Sequence, residues 1–157
     1  MTGDAAPALA IERSLCLSLY AAANATVQLY RDLLAPWGIS YPQMLVLAVL
    51  AEEPRTTPGR IAEVLMLDAS SVAGLLGRLE AAGLVTREID PADRRRIVVT
   101  ATDRAQEIAG HHAWLERCIA DAIGLDSDAA ADLTASLGRL RASMLDFDRD
   151  AAVAALD

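Results

Sequence analysis

Lysine is missing from this chain altogether. Its 157 residues carry 14 cationic side chains, every one an arginine, against 22 carboxylates, for a formal net charge of −8. Taken whole, that balance argues against a polyanionic partner, which needs cations to meet it. Long apolar runs are missing too. The longest, Met44 to Ala51, is far short of the roughly 20 residues that cross a bilayer, so no membrane partner is expected. The opening stretch Met1 to Ala10 carries Asp4 where a secretory signal has a basic start, and the expected location is cytoplasmic. Cysteine occurs only twice, as Cys16 and Cys118. So far apart, and in a reducing compartment, the two do not form a standing structural staple, which leaves buried thiols or thiol chemistry. Aromatics are few: three Tyr, two Trp and one Phe. No internal repeat, low-complexity linker or metal-ligand motif occurs, and neither a cofactor nor a metal is expected.

What is present is mostly helix-forming. With 54% hydrophobic residues and abundant alanine, the chain can bury a core, and residues 1–157 are expected to form a single domain. Apolar periodicity predicts a long first helix from about Leu9 to Leu34, stopped by Pro36, Trp37 and Gly38. Ser40-Tyr41-Pro42-Gln43 reads as a capping box opening a short, very apolar helix that should be buried on most sides. Thr57 before Pro58 caps a third helix, to about Leu65. Asp68 caps a fourth, Ala69 to Ala82, ended by Gly83. Two short helices joined by a tight turn suggest helix-turn-helix. In the fourth, Val72, Leu75, Leu76 and Leu79 share one face, leaving Ser70, Ser71, Ala73, Gly74, Gly77 and Arg78 mostly outside it. Leu84 to Ile89, the turn Asp90-Pro91-Ala92-Asp93, and Arg94 to Thr100 then read as a hairpin with a charged tip, a wing. Helix is expected again from Thr102 to Gly124 and from Ser127 or Asp128 to about Asp150. The fold class is therefore mainly α with a small β-hairpin wing. A winged helix-turn-helix spans 41–101, and helical regions at 9–35 and 103–150 are candidates for dimerisation, through Leu115, Ile119, Ile123, Leu133, Leu137, Leu140 and Met144.

The charge is not evenly spread. Arg55 to Arg104 holds eight arginines and seven acids, a net of +1, and the rest of the chain carries −9. The objection to nucleic acid thus applies to the terminal helices and not to the winged helix. Arg94, Arg95 and Arg96 allow two readings. They pair with Asp90 and Asp93 as a solvated hairpin tip, or they enter a narrow, electronegative minor groove while the small face of the fourth helix approaches the major groove.

From Leu15 to Ile108 the chain resembles the MarR family of dimeric winged-helix regulators. The segments that carry the likeness are Leu67-Asp68-Ala69-Ser70-Ser71-Val72, Arg78 to Arg87, and Asp90-Pro91-Ala92-Asp93-Arg94-Arg95-Arg96. The resemblance implies a homodimer on double-stranded DNA at a pseudo-palindromic operator. Contacts would come from Ser70, Ser71, Ala73, Gly74, Arg78, Arg94, Arg95 and Arg96, with Asp93 orienting the arginine that enters the minor groove. Leu15 to Ala22 and Gly38 to Leu47 are similar to the OhrR branch, repressors that sense organic hydroperoxides. The positions matching their reactive cysteine and its tyrosines are Cys16, Tyr20, Tyr30 and Tyr41. In the two-cysteine type of that branch a second cysteine, here Cys118 of the other subunit, resolves the oxidised one.

On a helix, Tyr20 and Tyr30 each lie about 40° from Cys16 in azimuth, but Tyr30 is about 21 Å further along, within reach of a Cys16 only in a partner chain or through a bend. Phenol O–H groups can donate to a thiolate, which attacks peroxide to give a reversible sulfenic acid. The competing reading is a small buried thiol. His111 and Cys118, seven apart, and His112 and Glu116, four apart, share helix faces without completing a ligand set. The function expected is a repressor that releases its operator when organic hydroperoxide oxidises Cys16, and not an enzyme. The alternatives are a MarR-type repressor released by a small aromatic or phenolic ligand with inert cysteines, a thiol peroxidase, or a helical interaction module.

Overall fold

The computed structural model of the chain describes residues 10–155. These fall into two compact units, the first ending at His112 and the second starting at Ala113. A 3₁₀ turn, Ala10–Arg13, leads to α1, Leu15–Leu34, and a second 3₁₀ turn, Ala35–Trp37, follows it. The long first helix therefore starts later than expected: Leu9 lies outside the described residues, and Ser14 takes an extended conformation that breaks the helix. Serine competes with the helical backbone for its own hydrogen bonds, so a break there is inexpensive. As a result Cys16 is in the first turn of α1 instead of its interior.

Helix α2, Tyr41–Glu52, opens on the predicted capping box, with the Ser40 amide donating to Gln43 Oε1 at 2.9 Å. Met44, Val46, Leu47, Val49 and Leu50 are all buried, so the helix has almost no solvent face. Helix α3, Pro58–Leu65, is capped by Thr57, whose hydroxyl accepts from the Arg60 amide. Helix α4, Ala69–Ala81, is capped by Asp68 and buries Val72, Leu75, Leu76 and Leu79, the stripe read from periodicity. The hairpin pairs β1, Val85–Ile89, with β2, Ile97–Ala101, in the register Val85↔Ala101 to Ile89↔Ile97, and a bridge from Thr56 to Val99 adds a third edge. Arg94 to Arg96 belong to the connecting loop and not to a strand. The Asp90 amide donates to the Arg96 carbonyl at 2.8 Å, which closes the ladder below them. The Arg96 amide donates to the Asp93 carbonyl at 2.9 Å, and this turn keeps the strand from starting earlier.

Helix α5, Asp103–Ala109, is capped by Thr102. The helix expected to run from Thr102 to Gly124 is broken at Gly110 and His111, where a Cβ on residue 110 would lie only 3.1 Å from the Glu107 carbonyl oxygen. His111 therefore precedes α6, His112–Ile123, and does not share a helix face with Cys118. In the second unit, α7, Ser127–Asp146, is capped by Asp126, and extended Phe147 ends it before Asp148 caps α8, Arg149–Ala154. The expected single helix to Asp150 is thus two. No residue of α7 or α8 is buried. Leu115 is buried, whereas Ile123, Leu133, Leu137, Met144, Phe147 and Val153 are exposed. Among the described residues no single helix is long and apolar enough to cross a membrane.

The turn between α3 and α4 carries the one described non-glycine residue with positive φ, Met66 at +56°. The Leu67 amide donates to the Ala62 carbonyl at 3.0 Å, so the left-handed residue is what closes the helix end. A branched side chain there is strained, and Met66→Val should lower stability by about 1 kcal/mol or more while Met66→Gly should not, as urea melts would read. The helix-turn-helix also depends on charged caps. Hydroxyls of Ser70 and Ser71 hold the Asp68 carboxyl well below its ordinary value, and Arg60 and Arg87 lower Glu53 and Glu80 in the same way. Carboxyls depressed by folding add stability that is complete above their unfolded pKa and is lost as pH falls through the folded one. The melting temperature should therefore hold from neutral to about pH 5 and fall below about pH 4. Asp68→Asn, which still caps, should soften that acid loss in a pH series of thermal melts.

Candidate nucleic-acid interface and thiol site

The outward face of α4 is nearly bare. Ser70, Ser71, Ala73, Gly74 and Arg78 are exposed, and Gly77 is half-buried. A Cβ on Gly74 would lie 3.7 Å from Arg78 Nη1, so the arginine folds back over the glycine along the helix, and a Cβ on Gly77 would meet nothing within 4 Å. The two serines are less free than their position on the helix suggests. Ser70 Oγ donates to Asp68 Oδ1 at 2.5 Å and Ser71 Oγ to Asp68 Oδ2 at 2.6 Å. With their protons directed at the cap, both hydroxyls face outward as acceptors.

The wing loop is built by its two aspartates. Asp90 Oδ1 accepts from the Ala92 amide and Asp93 Oδ1 from the Arg95 amide, each at 3.0 Å. Both carboxylates thus shape the backbone of the loop and leave the guanidinium groups alone. Arg94, Arg95 and Arg96 are exposed and join none of the ion pairs among the described residues. The paired-hairpin reading is not what the side chains do. Asp93 acts on Arg95 through its backbone, fixing where the side chain leaves the loop.

Other arginines of the winged helix are tied down in ways their spacing does not announce. Arg60 bridges Glu53 at 2.9 Å and Glu63 at 3.0 Å, and Thr56 Oγ1 donates to the same Glu53. Arg87 Nε donates to Glu80 Oε2 at 2.9 Å and its Nη2 reaches the same oxygen, joining β1 to α4. Arg104 Nη1 donates to the Ala82 carbonyl at 3.0 Å. Among the described residues, Arg55, Arg78 and the three wing arginines are exposed and enter no ion pair. Only the pairs three residues apart, such as Arg60 and Glu63, follow from helix geometry. The pairs seven apart cross a turn.

The thiol and phenol groups form two separate clusters within one chain. Cys16 and Tyr20 are both exposed, one turn apart at the start of α1. Tyr30, further along the same helix, stacks on Tyr41 of α2 with ring centroids 4.0 Å apart and an interplanar angle of 23°. The rise of a continuous helix separates Cys16 from Tyr30 by about 21 Å. Cys118 is a half-buried free thiol on α6. Several clefts lie within the first unit. One of about 320 Å³ is bounded by Leu47, Leu50, Thr100, Ala105 and Ala109 between α2, β2 and α5. Another of about 210 Å³ is lined by Trp37, Arg104, Glu107 and His111, with the Trp37 and His111 rings 5.1 Å apart.

Residues 37–96, the span from Trp37 to the last wing arginine, match the model of the MarR family. The chain is 36% identical over 131 residues to the HTH-type transcriptional regulator TtmR of Methylorubrum extorquens, covering 83% of this chain and 67% of that protein. It is 29% identical to the HTH-type transcriptional regulator MgrA of Staphylococcus aureus, over 83% of this chain and 89% of MgrA. Among solved structures, reduced AbfR bound to DNA superposes with a TM-score of 0.71 at 29% identity, covering 87% of this chain and 95% of AbfR. A probable transcriptional regulator from Pseudomonas aeruginosa, at 23% identity and a TM-score of 0.75, shares the fold. A mainly helical chain with a two-stranded wing, an unpaired arginine tip and a small-faced recognition helix is thus matched in sequence and in structure, and it belongs to the MarR family of DNA-binding winged helix-turn-helix transcriptional regulators.

Proposed function

We propose that this regulator is a homodimeric, cytoplasmic repressor that senses organic hydroperoxides through Cys16 and then releases its operator. The observation that carries the reading is the placement of the reactive groups. Cys16 is exposed in the first turn of α1 with Tyr20 beside it, and the Tyr30–Tyr41 stack lies about 21 Å along the same helix. Two α1 helices packed antiparallel about a two-fold axis bring the thiol of one subunit to the phenols of the other. The apolar faces of α1, α7 and α8 support a dimer, since Leu15, Tyr20, Val27, Leu133, Leu137 and Val153 are exposed in the single chain. AbfR, to which the chain is similar, has been solved on DNA in reduced and in overoxidized forms.

The chemistry balances on two thiols and one peroxide. The Cys16 thiolate attacks the terminal oxygen of the hydroperoxide, the O–O bond breaks, and the alkoxide leaves as alcohol with a proton from a phenol or water. Cys118 of the partner then displaces water from the sulfenic acid and an intersubunit disulfide forms. That bond ties the helices that carry the two winged units and alters their spacing, so the two recognition helices no longer match successive major grooves. On DNA, the reading places α4 through Ser70, Ser71, Ala73, Gly74 and Arg78 in the major groove, and Arg95, flanked by Arg94 and Arg96 and oriented by Asp93, in the minor groove. A second reading, release by a small aromatic or phenolic ligand with inert cysteines, draws on the 320 Å³ apolar cleft at the root of the wing.

The two readings separate in one gel-shift series on a duplex selected by the protein from a random pool. Cumene hydroperoxide should abolish binding, and dithiothreitol should restore it. Cys16→Ser should bind as well as the unaltered chain and ignore peroxide. A response that survives that substitution assigns sensing to another group. Non-reducing electrophoresis of the oxidised protein should show a covalent dimer that Cys118→Ser eliminates. Arg95→Ala should weaken operator binding by about 1 to 3 kcal/mol, and unchanged affinity would remove the minor-groove role.

A further inference from the structure

The recognition helix and the wing reach DNA together only if the angle between them is right, and one side-chain contact stands where that angle is set. The chain leaves α4 through Gly83, whose φ of +69° turns it directly into β1. The root of the hairpin is held on the far side of the turn, where Thr102 Oγ1 donates to the Gly83 carbonyl at 2.8 Å and Arg104 to the Ala82 carbonyl. Further out, β1 loses its packed support. Val85 is buried, but Thr86, Arg87, Glu88 and Ile89 are exposed. Across that gap Arg87 reaches back to Glu80 on the last turn of α4, two guanidinium nitrogens converging on one carboxylate oxygen. Among the described residues it is the outermost bond between a side chain of β1 and the recognition helix.

The lever is long. From Gly83 to the loop at Asp90 is seven extended residues, or about 23 Å at 3.3 Å per residue, so a rotation of roughly 10° about the hinge moves the tip by about 4 Å. That exceeds the tolerance of any hydrogen bond to a base edge or phosphate. An ion pair this exposed adds little to folding stability. Its geometric effect on a long lever is much larger.

We propose that the Glu80–Arg87 pair is a positioning clasp that sets the angle between recognition helix and wing, and thereby the register of the wing arginines against the bases read by α4. Glu80 and Arg87 act through the groups they hold and need touch no base themselves. A negative side chain kept on the DNA-facing half of the molecule otherwise has only repulsion to offer a polyanion. The Arg87 guanidinium keeps the Glu80 carboxyl below its ordinary range, so the clasp is charged throughout the neutral pH range.

This inference rests on the wing reading of the preceding subsection and is independent of Cys16. The test uses the full-length protein, the duplex it selects from a random pool, and an unrelated duplex of equal length. Glu80→Ala should bind the selected duplex about tenfold more weakly, with its melting temperature and its affinity for the unrelated duplex unchanged or slightly raised. Hydroxyl-radical footprints should lose the minor-groove protection of the wing while guanine N7 protection under α4 remains. The exchanged pair, Glu80→Arg with Arg87→Glu, should recover most of the selectivity. If Glu80→Ala binds the selected duplex as well as or better than the parent, Arg87 is a plain phosphate contact or a surface bond and the clasp is overturned. Failure of the exchanged pair to recover selectivity overturns it too. Arg95→Ala in the same series separates the two proposals. Normal binding there removes the minor-groove reading itself, whereas a weakened Arg95→Ala beside a normal Glu80→Ala removes only the clasp.

Discussion

Helix α2 has almost no face left for water, and that constraint organises the winged unit. It packs against α1, α3, α4, α5 and β2, so each of these elements buries its apolar side on the same short cylinder. Full burial of residues such as Val46 and Leu50 stabilises by about 1.5 to 3 kcal/mol each, and the effect is non-directional. Direction comes from the ends, where the capping box at Ser40 and the Glu53 carboxylate, shared by Arg60 and Thr56, fix where α2 begins and how the chain leaves it. Thr56 then pairs with Val99 in β2, so the exit from α2 also anchors the wing. Core, helix-turn-helix and hairpin are held through one buried helix.

The electrostatics follow from how that unit assigns its acids. Asp68, Asp90 and Asp93 accept from hydroxyls or backbone amides, and Glu53 and Glu80 hold Arg60 and Arg87. A segment with nearly balanced formal charge thus leaves Arg55, Arg78 and the wing arginines unpaired among the described residues, because most of its carboxylates are engaged in structure. The excess of acid lies elsewhere in the chain, where it disfavours nonspecific association with DNA. Affinity built from so few cations is weak, and its dependence on salt is correspondingly shallow.

The helices outside the winged unit show the opposite condition. In α7 and α8 no side chain is buried, although Leu133, Leu137, Met144 and Val153 recur on them. Isolated helices of this length are marginal in water, and their stability must come from packing on another surface. The first half of α1 shares that exposure, and it carries Cys16 and Tyr20. Association of two chains would therefore complete the fold and the thiol–phenol site together, which is why sensing and dimerisation belong to one proposal.

Features set by near neighbours were legible from the sequence. The caps at Ser40, Thr57 and Asp68, the buried stripe of α4 and the hairpin after Gly83 all depend on residues within a few positions, and the structure has each of them. The breaks at Ser14, at Gly110 and His111, and at Phe147 were not legible, since apolar periodicity runs through all three and only the path of the folded chain interrupts it. By itself the sequence determined the winged architecture and the segregation of charge, because composition and periodic burial carry that information, and its motifs carried the resemblance to the family. Which arginines remain unpaired, the stacking of Tyr30 on Tyr41, and the clasp from Arg87 to Glu80 were decided only by tertiary structure. Each depends on angles across a turn or between helices, and those angles are set by what α2 can bury and not by any local run of residues.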